Sequence, residues 1–133
     1  MVGNGEVGKT SLIKKFIFDE HIDGHTTIAT IGIDYFPLQV QINQELYNVQ
    51  IWDPAGQERY RSLTKNYYNQ LDAIILVFSM TDEPSFESAL RWLKEIQEAK
   101  DCPVIIVGNK SENIENLKIS DEVMEKVAEA CKV

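Results

Sequence analysis

Three short stretches carry residue types at spacings that can do chemistry. The first, GNGEVGKT at residues 3–10, fits G-x-x-x-x-G-K-[ST]. A glycine-rich loop of this kind turns successive backbone N–H groups inward as an anion nest, and the helix behind it adds its positive end. Gly3, Asn4, Gly5, Glu6, Val7, Gly8, Lys9, Thr10 and Ser11 are therefore candidate phosphate-binding residues. Lys9 would reach the outer phosphates, and the Thr10 hydroxyl would ligate Mg2+. Taken alone, the stretch is also compatible with a glycine-rich turn that binds nothing.

The second stretch, DPAGQE, follows an alternating segment and begins with Asp53. A carboxylate at the C-terminal end of a strand suits a metal partner facing a phosphate loop. Gly56, lacking a side chain, permits close approach to a terminal phosphate. Gln57 carries an amide that both accepts from water and donates to developing charge. The alternative is a tight turn with Asp and Gly as turn formers. The third stretch, GNKSE at 108–112, puts Asn109, Lys110 and Glu112 after an apolar run. The acid can accept from a purine's N–H groups while the lysine stem lies along the ring. Alone it reads as a surface loop.

These stretches need elements to hold them. Leu12, Ile13, Phe16 and Ile17 recur at helical spacing, predicting a helix from about Gly8 to Phe18. The polar segment DEHIDGHTTIA is a long loop. Leu38, Val40 and Ile42 alternate with Gln39, Gln41 and Asn43, and LYNVQIW resumes the alternation after a turn near 43–45. That pattern predicts an antiparallel hairpin with one buried face. AIILVF (73–78) and VIIVG (104–108) are continuous apolar runs, as in parallel strands covered on both faces. Between them Phe86, Leu90, Leu93 and Ile96 form a helical stripe, with Asp82 as cap and Pro84 in the first turn. A last helix carries Val123, Val127 and Ala130, capped by Ser120 with two acids in its first turn. Strands alternating with helices predict an α/β doubly wound domain.

Composition narrows the class. The 133 residues suffice for one domain, and 44% apolar with 26% charged residues reads as globular. A formal net charge of −8 leaves no basic stripe for nucleic acid. No apolar run approaches the roughly 20 residues of a membrane-spanning helix, and no secretory leader pattern is present. Cys102 and Cys131 lack metal spacing and read as reduced thiols. Cys131 is third from the end, whereas a prenylation signal needs cysteine fourth from the end.

In order and spacing, GNGEVGKTSL, TIGIDYF, IWDPAGQERYRSLTKNYY, VFSMTDEPSFESALRWLKEI and VGNK resemble the Ras superfamily of small GTPases. The IGIDYF and QERYRSLTKNYY segments are similar to its Rab branch, and the similarity covers nearly the whole chain. The resemblance implies a P-loop fold that binds GTP or GDP with Mg2+ and hydrolyses GTP slowly. On this resemblance Gly3 to Thr10 cradle the phosphates, and Thr10, Thr30 and Asp53 serve the metal. Gln57 orients the attacking water, and Asn109 and Lys110 hold guanine. Segments around Ile28–Phe36 and Gly56–Tyr68 would be switches ordered by the γ-phosphate. The resemblance offers Ile31, Gly32, Ile33, Asp34, Tyr35, Trp52 and Tyr67 to effector proteins. The three aromatics among them equally suit packing under the sheet. It implies an exchange factor and an activating protein as partners, with a role in vesicle traffic.

The chain departs from the family pattern at several positions. Glu112 stands where the guanine-reading residue is usually Asp, moving the carboxylate by roughly 1.5 Å, one C–C bond. His21 falls where an aromatic usually lies beside guanine, though an exposed loop histidine is as good a reading. Thr30 lies 21 positions after Lys9, about two more than usual, which lengthens the first switch. Pro54 replaces Thr and removes a donor, while Glu6 must face solvent and Gly5 leaves room for an activator's arginine. The resemblance further predicts a central strand ending at Met1–Val2, lying between the 46–52 and 73–78 strands. It also predicts a further strand, a guanine-contacting loop, a last helix and a lipidated tail beyond 133, so residues 1–133 would form a partial domain. Membrane contact would come only through that tail, giving a cytoplasmic protein or one at the cytosolic face of an endomembrane. Two other readings compete: a non-catalytic interaction module keeping the effector face, and a P-loop enzyme for another nucleotide.

Overall fold

The computed structural model describes residues 1–19, 30–54 and 70–131. Helix α1 spans Lys9–Phe18 directly after the glycine-rich loop, with Gly8 in a left-handed conformation at its N-cap. Strands β1 (Ile33–Ile42) and β2 (Glu45–Pro54) form an antiparallel hairpin running from Ile42↔Glu45 to Ile33↔Pro54. Asn43 and Gln44 both have positive φ (50° and 72°), the geometry of a two-residue turn whose twist suits a hairpin.

Strand β3 (Ile74–Ser79), helix α2 (Glu83–Ala99) and strand β4 (Val104–Asn109) make a β-α-β unit. The strands pair in parallel from Ile74↔Val104 to Ser79↔Asn109. A short 3-10 turn, Ile114–Asn116, leads to helix α3 (Asp121–Cys131). The single doubly wound sheet predicted from the sequence is hydrogen-bonded as two two-stranded ladders among the described residues. Residues 1 and 2 join them: Met1 N donates to Trp52 O of β2 at 2.7 Å, and Val2 bridges β3 through Ile75 O and Val77 N, each at 2.8 Å.

The core lies where α2 covers β3. Leu76, Val77 and Phe78 have essentially no exposure, and Phe86, Ala89, Trp92, Leu93 and Ile96 of α2 are buried against this region. Phe78 and Phe86 meet with ring centroids 5.1 Å apart. The α2 stripe is thus shifted from the expected one: Leu90 is 37% exposed, and Trp92 is buried in its stead. The expected row of Phe86, Leu90, Leu93 and Ile96 breaks at Leu90 because the buried arc centres on Ala89, Leu93 and Ile96, leaving Leu90 on its edge. Asp82 occupies the N-cap, but its side chain caps nothing; its carbonyl instead accepts from Ser85 and Phe86 N.

Other apolar positions lie further out than their spacing suggested. Phe16 is 68% exposed on α1, and Val123 is exposed on α3, where Met124 and Val127 pack against the core. Ala130 and Cys131 have side chains outside the described set. The hairpin's inner face is only half-buried at Phe36, Leu38 and Val40, and Ile42 is exposed. An open cleft of about 380 Å³ is lined by Phe16 and Ile17 of α1 and by residues 38–41 of β1. Ser120 Oγ accepts from Val123 N at 3.4 Å, consistent with a weak N-cap. Among the described residues no helix is long and apolar enough to cross a membrane.

Candidate functional site

The phosphate-type loop is shaped by two glycines packed closely against their neighbours. A Cβ on Gly3 would sit 2.1 Å from Val77 O, and one on Gly8 would sit 2.3 Å from Asn109 Nδ2. Both also have positive φ, 142° and 96°. Val7 is buried in the interior, while Gly5 and Glu6 are exposed, so the Glu6 carboxylate faces solvent. Gly8 provides no side-chain cap, which leaves the first N–H groups of α1 free to meet an anion.

Lys9 folds back over the loop. Its Nζ donates to Gly3 O at 3.0 Å and Asn4 O at 2.8 Å, and the side chain is buried. Burial lowers the Lys9 pKa, while the nearby Asp53 charge acts against that shift. The lysine thereby places its amino group at the loop's floor.

Thr10, Thr30 and Asp53 converge beside it. Thr10 Oγ1 donates to Asp53 Oδ2 at 2.5 Å and lies 2.8 Å from Thr30 Oγ1. Three different segments supply these atoms: α1, the residues before β1, and the end of β2. Asp53 is fully buried, and its Oδ1 has no hydrogen-bond partner among the described residues. Burial raises the Asp53 pKa, with the Thr10 hydrogen bond and the Lys9 charge pulling it down. An orphaned carboxylate oxygen beside two hydroxyls is a fitting oxygen donor set for a hard divalent cation. Among the described residues no group of three or more His, Cys, Asp or Glu forms a metal cluster.

The loop after β4 is tied directly to the phosphate-type loop. Asn109 Nδ2 donates to Val7 O at 2.8 Å, leaving its amide oxygen for other contacts. Lys110 follows with φ 63° and is half-buried, and Glu112 is exposed. This tether was not legible in the sequence, because it joins residues 102 positions apart.

On the hairpin, Tyr35 and Trp52 are register partners with rings edge to face, centroids 6.0 Å apart. Tyr35 is exposed and Trp52 half-buried; Ile31 is 86% exposed, with Ile33 and Asp34 exposed and Gly32 half-buried nearby. Pro54 closes β2 opposite Ile33. His21, Gly56, Gln57 and Tyr67 lie outside the described residues, as do residues 28 and 29 of the first candidate switch and all of the second.

Comparison with known proteins adds a family match. The Ras family model matches residues 1–133. Ras-related protein Rab-30 of Homo sapiens is 41% identical over 132 residues, covering 98% of this chain and 64% of its own length. Ras-related protein RABD2a of Arabidopsis thaliana is 37% identical, covering 97% of this chain and 64% of its own. GTP-binding protein YPTM1 of Zea mays is 35% identical, covering 97% of this chain and 62% of its own. The chain therefore spans somewhat less than two thirds of the length of these relatives.

Proposed function

This chain belongs to the Ras family, with Rab-like relatives, and on that premise we propose that it is a guanine-nucleotide switch that binds GTP or GDP with Mg2+ and hydrolyses GTP slowly. The observation that carries the reading is the meeting of Thr10, Thr30 and Asp53 beneath a loop crossed by Lys9. The name of the Zea mays relative, GTP-binding protein YPTM1, supports the choice of nucleotide.

In this mechanism the loop N–H groups and the start of α1 hold the phosphates, and Lys9 turns its ammonium toward their outer oxygens. Thr10 and Thr30 would offer hydroxyl oxygens to the cation, and Asp53 would hold its waters. When bound, Mg2+ neutralises charge between neighbouring phosphates. Asn109 fixes the loop through Val7 and, with Lys110 and Glu112, takes the base. Gln57 would orient the attacking water, and His21 would lie beside the ring. Thr30 precedes β1, so contact with a terminal phosphate would pull the exposed Ile31–Tyr35 surface into one arrangement.

The wider role in this reading is regulation of vesicle traffic from the cytosol or the cytosolic face of an endomembrane. Exposed Tyr35 beside Trp52 is the surface for effector proteins, with an exchange factor and a GTPase-activating protein setting the state. Nucleic acid has no part in it, given the net charge of −8.

Titrating GDP, GTP and ATP into the 133-residue chain with Mg2+ tests the reading. Saturable guanine-nucleotide binding is expected, with ATP much weaker. The competing reading, a non-catalytic interaction module, is favoured by one observation: the base-reading acid is the longer Glu112 in an exposed turn. Absence of nucleotide binding with a retained fold would establish that reading instead.

A further inference from the structure

The hairpin ladder places Asp34 directly opposite Asp53. Opposed residues of an antiparallel pair project from the same face, with Cβ atoms roughly 5 Å apart. Like charges so placed repel, and a strand pair normally avoids them. Here the two carboxylates differ in setting. Asp34 is exposed, whereas Asp53 is fully buried beside the Thr10 and Thr30 hydroxyls and keeps one oxygen unpartnered among the described residues.

Two positive groups act on Asp53, the Lys9 ammonium and the Met1 amino group, and both are engaged by backbone carbonyls, Met1 N by Trp52 O at 2.7 Å. Lys9 Nζ is bonded to the Gly3 and Asn4 carbonyls. Burial chiefly, and the Asp34 charge in the same direction, raise the Asp53 carboxyl above its ordinary value against the pull of Thr10, Lys9 and the Met1 amino group. A second carboxylate opposite Asp53 adds its negative potential to that of the first, which favours a divalent cation more than one carboxylate alone.

We propose that Asp34 is a positioning residue for the cation: held opposite Asp53 by the hairpin register, its carboxylate adds negative potential to the Thr10–Thr30–Asp53 site and strengthens the hold on Mg2+ without ligating it. The inference rests on the nucleotide-switch reading above. It assigns Asp34 a part inside the site, besides its place on the exposed hairpin surface. Because the exposed charge acts through solvent as well as protein, its influence falls with ionic strength.

The test uses the full chain loaded with a fluorescent GDP analogue, stripped of metal with EDTA and titrated back with Mg2+ while nucleotide release is followed. Asp34→Asn is expected to weaken apparent Mg2+ affinity about three- to tenfold at low salt, the range for a charge several ångströms away in a mixed medium. The loss should shrink as salt is raised, and Asp34→Glu should restore affinity to near that of the unmodified chain. Glu45→Gln removes the same charge from the same hairpin, eight residues and about 27 Å from Asp53, and should change nothing. In metal-free protein Asp34→Asn should melt no lower than the unmodified chain.

Equal Mg2+ affinity in Asp34→Asn and Glu45→Gln overturns the proposal, as does an Asp34→Glu variant as weak as Asp34→Asn. If Asp34→Asn does not fold, Asp34→Glu and the salt series on the unmodified chain decide, since loss of affinity in the first or salt-independence in the second overturns it. Failure of the nucleotide reading looks different. The unmodified chain would then show no Mg2+-dependent retention of GDP, and the proposal would fall with that reading.

Discussion

Asn109 donates its side-chain amide to the carbonyl of Val7 at 2.8 Å, joining the end of β4 to the phosphate-type loop across 102 positions of sequence. Through this bond the proposed base-reading and phosphate-binding parts of the site are held as one unit. Gly8 makes the approach possible, since any Cβ there would press on the same amide.

Asn109→Ala should therefore impair both parts together. It leaves the Val7 carbonyl without its partner, a loss of about 1–3 kcal/mol for a buried polar group. A matching fall in thermal stability and a drop in GDP affinity of at least about tenfold are expected, read by thermal unfolding and nucleotide titration. Gly8→Ala should be at least as damaging, because the left-handed backbone adds roughly 1–2 kcal/mol to the clash. If Asn109→Ala lowers neither stability nor affinity, the tether has no energetic weight.

Much of this frame was legible from the sequence, and what was not has identifiable causes. Period-2 alternation and continuous apolar runs located β1, β2, β3 and β4 because side-chain direction is a local property. The register was not legible, since counting outward from a turn at 43–45 pairs Asp34 with Pro54, whereas the turn is Asn43–Gln44 and the partner is Asp53. The Asn109–Val7 bond was not, because the packing that brings β4 to the loop is non-local. Leu90 and Phe16 were misplaced for the same reason: helical spacing defines a stripe, and the neighbouring strand decides which edge of it is covered.

Asp53→Asn should separate folding from cation binding. On balance burial outweighs Thr10 and Lys9 at this carboxylate, so its ionised form costs the metal-free fold some stability. The variant should melt at or slightly above the unmodified protein without metal, by up to about 4 °C. It should lose the extra stabilisation that Mg2+ with GDP provides, which reaches about 2.7 kcal/mol at a ligand concentration one hundred times Kd. A melt well below the unmodified chain in EDTA would contradict this balance.

Glu112→Asp shortens the exposed side chain by one methylene. Expected is a gain of about tenfold in GDP and GTP affinity, the scale of one well-made charged hydrogen bond. An unchanged affinity in a binding titration would show that the loop already accommodates the longer acid.

Trp92 and Leu90 test the packing of α2. Trp92 is 7% exposed and Leu90 37%. Trp92→Ala should cost about 3–5 kcal/mol by chemical denaturation, whereas Leu90→Ala should cost no more than about 1 kcal/mol. Equal losses would place the buried face of the helix elsewhere.

The most direct test of the nucleotide-switch reading is a GDP titration of the 133-residue chain, once with Mg2+ and once with EDTA. Saturable binding that weakens by an order of magnitude or more when the metal is removed is the predicted result. No saturable binding in either buffer, or binding indifferent to Mg2+ and equally strong for ATP, would contradict it.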